Sequence, residues 1–350
     1  MRFAPPSDRH ACESLAMIAG LKPKSFAFVI MPGFPMACLT SAIEPLRACN
    51  EITGTDHFSW RVVSEAATRT KCSAGVTFDP DIGLAELAGC DALYLLSTPT
   101  SAFENERATN GALRSLARRG AILGAFSGGI FPLARSGLLE GRSCSVHWVY
   151  ETAFAERFPS VSVKEKMVVR DGQLETASGA AAVFDLMLIH VEAAFGRAVA
   201  TEVACWFQHP FVRGGEAAQL VPTKHMATTQ DRLSPPVQKA IALFASHIQD
   251  PIRVQDVANQ VDLSSRQLDR IFQQETGLGP LSYYLAMRME KARQMVLYSH
   301  QTTGAIALAV GYASPDPLAR NYKRAFGVSP SEHRRMARRG APSQRATMSE

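Results

Sequence analysis

Residues 125–130 read Ala-Phe-Ser-Gly-Gly-Ile, and Ser127 at their centre is of a type and in a setting that could do chemistry. An apolar run ends on it, two glycines follow, and a helical pattern begins at Ile130. That is how a strand hands a side chain to a sharp turn before a helix, one residue away from the G-x-S-x-G elbow of serine hydrolases. The amides of Gly128 and Gly129 would open that helix, and a helix N-terminus attracts a carboxylate or another anion. A second constellation lies downstream. Arg266, Asp269, Arg270 and Gln273 share one helical face, opposite an apolar stripe of Leu268, Ile271 and Phe272. Arginine forks onto guanine O6 and N7, and aspartate accepts from cytosine N4, so this row suits a major groove. Further on, Arg320, Lys323 and Arg324 lie outside a stripe of Leu318, Tyr322 and Phe326.

Elements must hold these groups. "SFAFVIM" (25–31), "FSWRVVS" (58–64), "DALYLLS" (91–97) and "AILGAF" (121–126) read as buried strands, with helical patterns between them. This alternation predicts an α/β fold, a parallel sheet with helices on both faces. Residues 160–178 read as two strands around an Asp171-Gly172 turn, and 179–196 as a long apolar helix closing the domain. The domain therefore spans 23–207, after a flexible extension over 1–22. Prolines, glycines and threonines make 208–235 a linker. Residues 236–338 are helical, and 339–350 are a disordered tail.

Within the helical part a helix–turn–helix unit occurs twice. Val254, Val257, Ala258 and Val261 line the first helix, Asp262-Leu263-Ser264 makes the turn, and Ser264 is a good N-cap. In the second copy Ile306, Ala307, Ala309 and Val310 pack, Gly311 ends the helix, and Ser314 caps the next. Residues 280–299 form one rigid connecting helix.

The 350 residues suffice for two domains, and 46% hydrophobic with 20% charged residues is ordinary for a soluble protein. Seven scattered cysteines with no CxxC pair suggest neither a disulfide framework nor a metal site, which fits a cytoplasmic setting. No signal-peptide core and no window near 18 apolar residues predict a chain outside membranes. Residues 236–339 carry 14 Lys/Arg and 8 Asp/Glu, a net +6 against −1 elsewhere, which is compatible with nucleic acid.

"LSSRQLDRIFQQETGLGPLSYYLAMRMEKARQMV" and "AIALAVGYASPDPLARNYKRAFGVSPSEHRR" closely resemble the AraC-type DNA-binding domain over about 100 residues. The resemblance implies two helix-turn-helix units facing successive major-groove segments, with base-facing positions at Arg266, Asp269, Arg270, Asp316 and Arg320. Pro315 and Pro317 depart from the pattern, because proline donates no hydrogen bond to DNA.

"VIMPGFPMACLTSAIEPLRACN", "RRGAILGAFSGGIFPLARSGLLEGR", "SVHWVYETAFAERFP" and "ASGAAAVFDLML" resemble the ThiJ/PfpI branch of the amidotransferase-like, flavodoxin-like fold. The two domains together resemble GlxA-type regulators over nearly the whole chain. Enzymes of that fold carry a cysteine at the elbow with a histidine and an acid nearby, positions that fall on Ser127, His147 and Glu44. A serine hydroxyl does not ionise as a thiol does and needs an oriented base, so the cysteine-type mechanism is absent.

The resemblance implies a DNA-binding transcriptional regulator, an activator acting as a homodimer with RNA polymerase. Its catalytically inactive pocket would sense an amino acid or quaternary amine such as arginine, carnitine or glycine betaine, without cofactor or metal. Glu44, Ser127, Gly128 and His147 would line the pocket, with Phe34 and Trp148 as walls; a helix cap for His147 and plain core for Trp148 stay open. The competing class is a serine-dependent hydrolase or amidase with an accessory DNA-binding domain.

Overall fold

The apolar runs form the centre of one sheet in a computed structural model that describes residues 22–209, 217, 219 and 233–340. The expected extension over 1–22 and the tail beyond 340 lie outside the described residues, save for Lys22, as does most of the linker. The strands are β1 (Lys24–Ile30), β2 (Phe58–Ser64), β3 (Thr70–Lys71), β4 (Thr77–Phe78), β5 (Ile82–Gly83) and β6 (Ala92–Ser97). They continue as β7 (Ile122–Ser127), β8 (Ser143–Ser145), β9 (Ser162–Lys164), β10 (Val168–Asp171) and β11 (Leu174–Ala177). The helices of this region are α1 (Met36–Thr53), α2 (Glu106–Arg118), α3 (Ile130–Arg135), α4 (Glu151–Arg157) and α5 (Ala180–Trp206).

The sheet has seven strands in the order β10-β11-β7-β6-β1-β2-β5. All neighbours are parallel except β10 with β11, which turn at Asp171 and Gly172 as the sequence predicts. Its five principal strands, β2-β1-β6-β7-β11, follow the flavodoxin-like order, which reverses between β1 and β6. Alternate residues separate the two faces. Phe26, Phe28, Ile30, Tyr94, Leu96 and Phe126 join one core cluster with residues of α1 and α5. Ala27, Val29, Leu93 and Leu95 are equally buried on the other face, which is why these strands read as continuous apolar runs. α2 and α3 pack against β7. α5 outruns the predicted end at 196: Gly196, at φ 81°, kinks the helix, which then continues to Trp206.

The remaining helices are α6 (Pro235–Ser246), α7 (Val254–Gln260), α8 (Ser265–Thr276), α9 (Pro280–Tyr298), α10 (Thr303–Ala309), α11 (Pro315–Phe326) and α12 (Pro330–Gly340). α6, α7, α8 and the start of α9 enclose one core around Phe244, Leu268 and Phe272. The rest of α9 with α10 and α11 encloses a second around Met295, Ile306, Leu318 and Tyr322. α9 thus serves both helix-turn-helix units, as a connecting helix should.

The division into compact units differs from a single cut at a linker. The first unit runs to His147, resumes at Phe158 and ends at Gln219; the second takes Trp148–Arg157 and the chain after Gln219. Part of the predicted linker is structured: the Met167 amide donates to the Ala217 carbonyl (2.8 Å) and the Gln219 amide to the Glu165 carbonyl (2.9 Å). Among the described residues no helix is long and apolar enough to cross a membrane.

Candidate functional site

Ser127 ends β7 beside Ser97, the last residue of β6, and its φ of +52° is left-handed. That conformation costs a non-glycine residue of order 1–3 kcal/mol and persists only where the surroundings impose it. Here the next two residues impose it. A Cβ on Gly128 would lie 2.3 Å from the Ser97 carbonyl oxygen, and one on Gly129 would lie 1.9 Å from that of Leu95. The chain can turn this close to β6 only as Gly-Gly. The expected strand–elbow–helix is therefore present, at the carboxyl ends of strands next to the place where strand order reverses. Open α/β sheets bind ligands in that position.

The Ser127 hydroxyl has no hydrogen-bond partner among the described residues, so it is not bonded to His147. The Gly129 amide donates to the Phe126 carbonyl (3.0 Å), which removes one of the two amides expected to receive an anion. The Gly128 amide has no such bond among the described residues. α3 spans six residues, too few for much of a dipole, so the donors at the elbow are local: the Gly128 amide and the Ser127 hydroxyl.

His147 follows β8, and several bonds fix that stretch. The Ser145 amide donates to Thr176 Oγ1 (2.8 Å), the Ser145 hydroxyl donates to the Lys166 carbonyl (2.6 Å), and Gln219 Nε2 donates to the Val146 carbonyl (2.7 Å). The imidazole lies over Gly179, where a Cβ would meet His147 Cδ2 at 3.5 Å. Since Ala177 pairs with Phe126, register brings this part of the chain level with Ser127. Burial lowers the His147 pKa from its usual 6.5, favouring the neutral ring.

Glu44 is eight residues into α1, about 12 Å along its axis from Met36. Its carboxylate accepts from Arg47 Nε at 3.0 Å and is partly exposed. Phe34 is fully buried against Phe78, a core ring rather than a pocket wall. Trp148 belongs to the other compact unit. The histidine and serine of the inferred trio thus lie at the carboxyl edge of the sheet, while the acid is tied to its own helix.

A buried polar cluster escaped the sequence reading. Glu175 on β11, 1% exposed, accepts from Tyr94 (2.5 Å), bonds His190 Nε2 (2.8 Å) and accepts from Arg170 Nε (2.8 Å). Burial pushes its carboxyl up, but the hydrogen bonds and charges of His190, Tyr94 and Arg170 outweigh it and bring the pKa to about 2. The signal was His190 alone in the apolar run "FDLMLIHVEAAF", but nothing in the spacing named Glu175 as its partner.

In the second unit Ser264 caps α8 with a reciprocal box: its Oγ accepts from the Gln267 amide (3.3 Å), and its amide donates to Gln267 Oε1 (2.9 Å). Leu268 and Phe272 face inward, while Arg266, Asp269, Arg270 and Gln273 are exposed. Asp262 takes the left-handed turn position at φ 59° in the first helix-turn-helix, and Gly311 does so in the second helix-turn-helix at φ 75°. Leu318 and Tyr322 are buried in α11, and Asp316, Arg320, Lys323 and Arg324 are exposed. Arg266, Arg270, Arg320, Lys323 and Arg324 form no ion pair among the described residues, which leaves their charge available to an anionic partner. Gln273 is partly committed, donating to the Gly277 carbonyl (3.0 Å) at the end of its helix.

Residues 24–193 match the DJ-1/PfpI family, and residues 257–336 match a helix-turn-helix domain. The HTH-type transcriptional regulator GbdR of Pseudomonas aeruginosa is 31% identical over 320 residues, covering 91% of this chain and 86% of that one. ArgR of the same organism, also an HTH-type transcriptional regulator, is 31% identical over 91% of this chain and 95% of its own. The chain belongs to the GlxA-type family of HTH transcriptional regulators. GlxA itself, from Rhizobium meliloti, is 28% identical over 88% of this chain and 94% of its own. A solved AraC family regulator from Pseudomonas putida is 23% identical over 53% of this chain and all of its own, with a TM-score of 0.49.

This regulator is accordingly a DNA-binding protein that carries a DJ-1/PfpI domain, and the arginines of α8 and α11 are exposed. The two recognition helices are not equivalent. Ser314 makes no side-chain cap bond, and Pro317 at the third helical position has no N–H to offer one.

Proposed function

We propose that the DJ-1/PfpI domain of this regulator is a sensor rather than a catalyst, and that its elbow holds the carboxylate of a small metabolite. The observation that carries this is the strained Ser127 whose hydroxyl meets no base among the described residues. Serine becomes a nucleophile only when an adjacent base takes its proton, whereas a free hydroxyl beside the Gly128 amide supplies two donors to an oxyanion. Arginine, carnitine and glycine betaine all carry a carboxylate, and the half-buried His147, whose pKa is lowered toward the neutral ring, lies at the same edge of the sheet. The commitment of Glu44 to Arg47 argues against an acid-lined site for the cationic end.

The regulator then works in the cytoplasm as a homodimeric activator that recruits RNA polymerase. Ligand shifts the population between arrangements of the DNA-binding units. Titration calorimetry with arginine, carnitine and glycine betaine tests the site. One of them should bind wild type, and binding should be lost in a Ser127→Trp variant that keeps the wild-type melting profile. Undiminished binding in that variant would remove the elbow from the reading. Turnover in an ester and amide screen, abolished by Ser127→Ala, would establish the hydrolase instead.

A further inference from the structure

Helix α9 carries two side chains one turn apart on one face, Tyr284 and Arg288; the first reaches the stretch that leads into the first helix-turn-helix unit, the second the turn of the other unit. The Tyr284 hydroxyl donates to the His247 carbonyl and accepts from the Ile252 amide (3.3 Å). Both partners lie in the stretch between α6 and α7, ahead of the first unit. Arg288 is 8% exposed, and its Nε donates to the Val310 carbonyl (2.8 Å) while Nη2 donates to the Gly311 carbonyl (2.6 Å). These carbonyls close α10 and form the turn of the second unit. The guanidinium also stacks 4.3 Å from the centroid of Tyr312 in the same turn.

The two grips converge. A Cβ on Gly311 would lie 2.7 Å from the Ile248 carbonyl oxygen and 2.6 Å from Pro251 Cγ. The turn held by Arg288 therefore rests directly on the stretch held by Tyr284. A buried guanidinium is unfavourable unless its donors are used. Here they satisfy carbonyls orphaned at a helix end, where the dipole also favours a cation. The arrangement is not generic to the motif. The corresponding carbonyls of the first unit, those of Val261 and Asp262, take no side-chain donor among the described residues. The turns differ too: between the packed valine and the N-cap serine the first unit has Asp262-Leu263 and the second Gly311-Tyr312-Ala313. The added length includes the ring on which Arg288 stacks.

We propose that Tyr284 and Arg288 lock the two helix-turn-helix units into one rigid reader, so that the protein fixes the spacing of the two DNA segments it contacts. Arg288 is then a positioning residue for DNA recognition, although it is buried and touches no DNA. Two arms of one helix, planted in facing loops that themselves touch, leave neither unit free to pivot about α9.

The test uses the full chain and a duplex that wild type selects from a randomised library. Hydroxyl-radical footprinting of wild type should show two protected patches. Inserting two base pairs between them should weaken wild-type binding roughly tenfold or more, because the second unit no longer meets its groove. Arg288→Met should bind the original and the lengthened duplex within about threefold of each other. Arg288→Lys, which keeps the charge but loses the fork, should fall between. A structural role alone would lower the melting temperature and weaken both duplexes equally, leaving the insertion penalty at its wild-type value; that result overturns the proposal. A single protected patch in wild type overturns it as well. If Arg288→Met does not fold, Tyr284→Phe decides, since it removes only a hydroxyl: a reduced insertion penalty supports the lock and an unchanged one refutes it.

Discussion

Single side chains in this regulator fall into two groups, those set to meet a partner and those consumed by the fold. Arg270 is in the first group, exposed and without an ion-pair partner among the described residues. Its replacement by alanine should cost about 1–3 kcal/mol, concentrated at one base pair, if it reads a base. Binding isotherms on duplexes substituted one position at a time measure this; an equal loss on all of them would make Arg270 a phosphate contact. Glu175 is in the second group. Glu175→Ala should destabilise the first unit by about 3–5 kcal/mol, since it strands the buried His190 and Tyr94 partners. Its acid response has a definite sign. The carboxyl sits at about 2 in the folded chain against 4.5 ordinarily, so the unfolded chain takes up the proton first. The Glu175 contribution is full above pH 4.5 and is lost as pH falls toward 2. The gap in urea stability between wild type and Glu175→Gln should therefore shrink as pH falls from 4.5 toward 2, and a constant gap would contradict the assignment.

At the level of elements, capping separates the two recognition helices. Ser264→Ala should cost about 1 kcal/mol, because a reciprocal box is lost from α8. Ser314→Ala should change stability by no more than a few tenths of that value, because Ser314 makes no cap bond. Melting curves of the two variants decide the matter, and equal losses would show that α11 is capped after all. What was legible in the sequence follows the same division. Strands, the elbow, the α8 stripe and its cap are local, since residues within a turn or two determine them. The trio of Ser127, His147 and Glu44 was carried by resemblance, because position in a motif does not say which partner a carboxylate takes, and that of Glu44 bonds Arg47. Gln219 and Glu175 were illegible for another reason: their partners, Val146 and Tyr94, lie 73 and 81 positions away and nothing periodic joins them.

For the whole molecule, the informative feature is that the second unit takes in Trp148–Arg157, ten residues from within the DJ-1/PfpI match. There α4 meets α9: Tyr150 and Tyr298 pack edge to face at 5.0 Å. Lys291 is pushed below its usual pKa by burial, against the pull of Glu156 and Glu151. A fragment of residues 233–340 should keep its two cores but lose this cover. Amides in the last two turns of α9 should then exchange hydrogen faster in the fragment than in the full chain, and identical rates would show α4 to be dispensable. The consequence reaches protein engineering. A hybrid regulator made by splicing foreign reading heads onto this sensor at residues 210–232 would part α9 from the short helix that evolved with it. The working seam is not one position in the gene but three, and a successful graft must carry residues 148–157 along with the donor of the reading head.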